Sequence, residues 1–228
     1  MPVKRPIAVY LEVTPKRTFA AGVDWPGWCR SGRTEGEALE ALLAYGPRYA
    51  KVVGRSAGFT APADASTLEV TERLKGSPTT EFGAPGAAPR GDQRPLNESE
   101  LKRQLTLLRA AWGAFDAALQ RHASVELRKG PRGGGRDQAH MASHVFGAEQ
   151  AYLTRLGARP PEATGKHADA DADALRKAVV GALSARVREE PVDNPSGTKK
   201  LWLPLYFVRR TAWHALDHAW EIEDRATG

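Results

Sequence analysis

The chain has 228 residues, 41% hydrophobic and 26% charged, which excludes a fibrous or wholly disordered polymer and leaves room for one or two packed domains. The longest unbroken apolar stretch, LWLPLYFV, falls far short of the ~20 residues that cross a bilayer, and the opening MPVKRPIAVYLEV lacks a signal peptide's apolar block, so a soluble, cytoplasmic protein with no membrane partner is expected. Net charge is +6 but diffuse, 12 Lys+Arg against 9 Asp+Glu in residues 1–90 and 21 against 18 in residues 91–228, which argues against nucleic acid as a partner.

IAVYLEV (7–13) and TFAAGVD (18–24), joined by TPKR, predict an antiparallel hairpin. Pro26 and Gly27 then force a turn, and Cys29 is expected to begin a third short strand. Thr34 with Glu37 reads as a capping box, and Ala38, Leu39, Leu42, Leu43, Tyr45 and Tyr49 recur at helical spacing up to about Ala50. Residues 1–60 thus predict a small antiparallel ββ(β)α unit. Residues 61–95 turn rich in Gly, Pro, Ala and Thr and read as a linker, with a further strand expected near 67–73.

Beyond Pro95 the pattern is helical. Asn97 and Glu100 form a cap pair ahead of the stripe Leu101, Leu105, Leu108, Ala111, Trp112, Phe115 and Leu119, and the first of these helices ends near His122. A second runs from Asp137 to about Leu156, a third over about 171–189 and a fourth over 204–225. Residues 96–228 therefore predict a four-helix bundle, making the whole chain α+β, with long connections that leave the helix order open. The run DADADA (169–174) has neither the glycine nor the closing glutamate of a calcium loop and is expected to open the third helix, where acidic residues suit the dipole.

A single cysteine, Cys29, excludes an internal disulfide and a cysteine-built metal site, and with no histidine near it in sequence it reads as a small half-buried side chain. Any metal chemistry falls to histidine. Four of the six histidines form two HxxxH pairs, His140 with His144 and His214 with His218. Residues i and i+4 lie one turn apart on one helix face, close enough for two imidazoles to converge on one ion. His214 and His218 flank the core stripe Leu205, Val208, Ala212, Ala215, Ala219 and Ile222, so they point partly inward, and His144 flanks the stripe of the second helix. His122 and His167 fall at a helix end and in a loop.

HMASHVFGAEQAYL and RRTAWHALDHAWEIEDR resemble the DinB-like superfamily of four-helix metal-binding proteins, over about residues 95–228. The resemblance implies one metal-ligand histidine on the second helix, which falls on His144 before VFGAE, and a closing pair on His214 and His218. It also implies thiol-dependent transferase or isomerase activity in some members. His140 has no counterpart in that pattern and stays open between a fourth ligand, a proton relay and no role. Separately, KRTFAAGVDWPGWCRSGRTEGEALEALLAY resembles the HicB-like antitoxin fold over about residues 5–50, which implies a fold for the first unit; the chain departs from that pattern in carrying a metal-type helical region where a DNA-binding tail would follow.

These readings lead to one divalent ion, Zn, Ni or Fe, with an open position at which a small electrophile is transferred or hydrolysed. Glu221, one turn beyond His218, is the carboxylate expected to reach that open side as a catalytic group; otherwise the local carboxylates pair with Arg209, Arg210 and Arg225. The loop RKGPRGGGR places Arg128, Lys129, Arg132 and Arg136 before the second helix, where they would bind a small anionic substrate, a thiol among the candidates, unless the loop is only a hinge. The expected function is a metal-dependent thiol transferase or hydrolase, with a homodimer compatible. The alternative is a non-enzymatic interaction module that docks a protein partner through the HicB-like unit.

Overall fold

A computed structural model describes residues 6–129, 135, 137–162, 168–195 and 197–226. The protein is α+β, with a four-stranded sheet near the N-terminus and, among the described residues, seven α-helices. It divides into two compact units, Met1–Arg94 and Pro95–Gly228. No helix among the described residues is long and apolar enough to cross a membrane.

In the first unit β1 (Ile7–Val13) and β2 (Thr18–Gly22) form the antiparallel hairpin, with Val9 opposite Gly22 and Val13 opposite Thr18. The turn is held by Thr14, whose backbone N–H and hydroxyl both donate to the Arg17 carbonyl. β3 (Cys29–Gly32) pairs antiparallel with β2. Its start follows from the Pro26–Gly27 turn, where Gly27 adopts φ 91°, a left-handed value glycine tolerates.

Helix α1 (Glu35–Ala44) begins at Thr34, whose side chain accepts from Glu37 N–H, but the Glu37 carboxylate accepts from Arg33 N–H, one residue before the position a closed capping box requires. The helix expected to reach Ala50 breaks at Tyr45, and α2 (Gly46–Val53) restarts beyond it. Pro47 is the reason: it has no N–H for the preceding turn, and its ring is accepted only in a helix's first turn, where it sits in α2. Trp28, Tyr49 and Phe59 make the core here, with Trp28 Nε1 donating to the Leu42 carbonyl at 2.9 Å and the Tyr49 hydroxyl to that of Pro26 at 2.9 Å.

The segment 61–95, read from sequence as a linker with a strand, belongs to this unit up to Arg94. β4 (Leu68–Lys75) pairs parallel with β1, giving the order β3-β2-β1-β4, and its side chains alternate between half-buried and exposed as an edge strand's do. After α3 (Pro78–Phe82) the chain returns so that Gly86 and Ala87 N–H groups donate to the buried Glu12 carboxylate. The sparse hydrophobic pattern hid this because a single buried carboxylate, not an apolar stripe, anchors the return.

The second unit comprises α4 (Glu98–Arg121), α5 (Gln138–Leu156), α6 (Ala168–Val187) and α7 (Pro204–Ala226). The Asn97–Glu100 capping box is present in both directions. α4 and α5 each pack against α6 and α7, and α7 is buried nearly all the way round, from Leu205 and Phe207 to Trp220 and Ile222. Such a helix is a core element, not a surface one.

Candidate metal centre

α5 and α7 bring the three histidines together. Asp137 caps the start of α5 by accepting from His140 N–H, which fixes where the helix begins and so where His144, two turns in, emerges beside the buried Met141 and Val145. On α7, i,i+4 spacing stacks His214 and His218, both buried. The ring centroids of His144, His214 and His218 lie 4.7–5.1 Å apart, and one nitrogen from each falls within 4.8 Å of the others. His144 and His214 face each other through Nε2 atoms 3.2 Å apart.

This group could hold a metal ion. Two nitrogens on one tetrahedral ion at 2.0–2.1 Å stand ~3.3 Å apart, close to the separation of the His144 and His214 nitrogens. The donor set also suits such an ion: neutral imidazoles offer lone pairs, and two that meet nitrogen to nitrogen, as His144 and His214 do in a partly buried place, need a proton or a cation between them.

Glu221 does not join the three nitrogens. Its Oε2 meets His218 Nδ1 at 2.9 Å and its Oε1 accepts from Arg225 at 2.9 Å, so the carboxylate expected at the open side is engaged by His218 and Arg225. The cause is its i+3 offset, which turns it back on the His218 ring. The His218 ring nitrogen holds the Glu221 carboxyl below the usual carboxylate range, with Arg225 adding to the effect against partial burial. An ionised Glu221 on Nδ1 keeps a proton there and leaves Nε2 of His218 as the ring's lone-pair donor, the usual second layer of a histidine metal site.

His140 lies apart from the cluster. Its Nδ1 is 2.8 Å from Asp137 Oδ2 and its side chain is 77% exposed, so the first HxxxH pair does not converge as the second does. Both residues nonetheless line a cavity of about 920 Å³ that reaches His144, with Val125, Leu127, Lys129 and Ser143 among its other walls. Tyr152 and Trp213 stand 6.0 and 5.9 Å from the His214 ring.

Of the four loop cations, Arg132 and Arg136 lie outside the described residues, as does His167. Arg128 is directed away from a substrate role: its guanidinium donates to the Asp224 and Arg225 carbonyls at the end of α7, and its own carbonyl accepts from Arg225 Nε at 2.7 Å. Lys129 lines the cavity. His122 caps the end of α4, Arg209 is buried, and Cys29 is buried in the first unit. Arg225, expected as a partner of the local carboxylates, pairs with Glu221 at i,i+4 spacing, and its Nε bond to the Arg128 carbonyl is the part with no sign in the sequence.

No protein-family model, no curated protein and no solved structure matches this chain.

Proposed function

We propose that α4–α7 form a DinB-like four-helix bundle holding one divalent ion through His144, His214 and His218, and that the protein is a metal-dependent thiol transferase or hydrolase acting on a small anionic substrate. The observation that carries this reading is the meeting of three imidazoles from two helices, one of which, His144, lines a cavity. Such an ion supplies Lewis acidity, which turns a thiol or a water into a nucleophile near neutral pH.

The chain's own groups do the rest. Glu221 holds the proton on His218 Nδ1 and so aims Nε2 inward. Lys129 brings positive charge to the cavity, and the first turn of α5, which also borders it, adds the positive end of a helix dipole. Val125 and Leu127 provide apolar wall, which strengthens those charges by displacing water. The same reading takes the first unit as HicB-like, on its hairpin, the Pro26–Gly27 turn and α1.

Metal analysis of untagged protein purified without a nickel column tests this. About one equivalent is expected in the parent and a small fraction of it in the His214→Ala/His218→Ala double variant. Equal metal in both overturns the reading.

A further inference from the structure

We propose a second ligand site, separate from the histidines, in the groove between α4 and α6: a pocket for a small organic anion with a flat apolar body, such as an aromatic carboxylate. The groove has a volume of about 410 Å³ and is lined by Arg109, Trp112, Gly113 and Asp116 of α4 and by Arg176 and Lys177 of α6, among others. It does not depend on the metal reading.

Its floor is rigid. Trp112 is 3% exposed, and its indole N–H donates to the buried Glu149 carboxylate, which fixes the ring plane. Arg176 is held by a two-pronged pair with Asp116 at 2.6 and 2.7 Å, and its guanidinium stands 5.4 Å from the Trp112 ring and 5.9 Å from that of Phe146. A clamped arginine over an indole is a preorganised surface, so a ligand loses little to ordering it.

The rim is different in kind. Arg109 and Lys177 are exposed and, among the described residues, make no hydrogen bond or ion pair. Asp116 is already matched by Arg176, and Asp173, one turn before Lys177, forms no ion pair with it among the described residues. Two cations on opposite walls are therefore available to one carboxylate. Between them Gly113 leaves the wall open, since a Cβ built there would meet nothing within 4 Å. A glycine in the middle of a helix costs about 1 kcal/mol relative to alanine, and here that cost opens the groove. Charges at the rim with carbon below match a charged head and a flat body.

Benzoate is the probe, read from the Trp112 indole N–H resonance of the full chain, assigned with Trp112→Phe. Saturable shifts with a Kd of about 1 mM are expected, the range for so small a ligand. Gly113→Leu fills the groove while favouring the helix, so it is expected to fold at least as well as the parent and to weaken benzoate at least ~10-fold. Arg109→Gln/Lys177→Gln is expected to weaken it ~5-fold or more, with the difference shrinking at high salt. Binding is expected to persist in the His214→Ala/His218→Ala variant, so failure of the metal reading leaves it untouched. The proposal is overturned by an absence of saturable shifts, by unchanged affinity in Gly113→Leu, by acetate binding as tightly as benzoate, or by loss of binding with the histidines.

Discussion

Replacing Glu149 with glutamine should change how stability depends on pH more than it changes stability at any one pH. Glu149 lies on α5 facing α4, 1% exposed, with Oε1 accepting from Trp112 and Oε2 without a partner among the described residues. Burial pushes its carboxyl up to about 7, against the pull of the Trp112 N–H and the Arg176 charge. A carboxyl raised in the fold favours the protonated form there. Its contribution is thus fully present below the unfolded value near 4.5 and is lost as pH rises through 7. The gap between those values is worth about 3 kcal/mol. Glutamine keeps an acceptor for Trp112 and removes the charge; its unpaired amide hydrogens add a cost of ~1–3 kcal/mol that does not vary with pH. In urea unfolding of chelator-treated protein, the variant should therefore gain about 3 kcal/mol on the parent between pH 4 and pH 8. For a unit of this size that is a relative rise of ~10 °C in Tm. Every other group is common to both proteins and cancels. Stability curves that stay parallel within ~1 kcal/mol across that range would refute a buried, uncharged carboxyl at this place.

Two further substitutions probe the centre and the backbone that supports it. Glu221→Ala removes the carboxylate behind His218 and should weaken metal binding ~10–100-fold in competition with a chromophoric chelator; unchanged affinity would mean the contact is idle. Gly157→Ala should cost ~1–3 kcal/mol in thermal unfolding, because this residue ends α5 at φ 108° and an added Cβ would meet Leu201 and Val192 side chains at 3.0 Å; a neutral result would contradict that left-handed cap.

The parts of this protein that were legible in its sequence are those where local chemistry decides the outcome. The β1–β2 hairpin, the α4 box at Asn97 and Glu100, and the i,i+4 stacking of His214 and His218 each depend on residues within a turn or two of one another. The break at Tyr45 was also local, but a hydrophobic stripe running past Pro47 masked it. What could not be read was set by distant chain. β4 joins the sheet because β1 offers an edge, and its flanking turn is anchored by Glu12, some 74 residues away from Gly86. His140 and His144 share the spacing of the α7 pair, yet only one turns to the centre, because Asp137 at the helix start draws the His140 ring to itself. Spacing says which side chains share a face; it does not say which of them has a nearer partner.

That difference explains why α7 carries so much of the candidate site. His214, His218, Glu221 and Arg225 follow one another at steps of four, three and four, which at ~100° per residue keeps all four within about 60° around the helix. Each therefore meets the next: the histidine rings 4.7 Å apart, Glu221 on His218, Arg225 on Glu221. Arg225 then bonds the Arg128 carbonyl, while Arg128 caps the last carbonyls of α7 in return. One helical stripe thus fixes two of the three clustered histidine rings, the carboxylate that orients one of them, and the chain segment that delivers Lys129 to the cavity. Because the helical backbone sets these offsets, the order along the stripe follows from the sequence spacing, and only the third imidazole, His144, has to be supplied by packing.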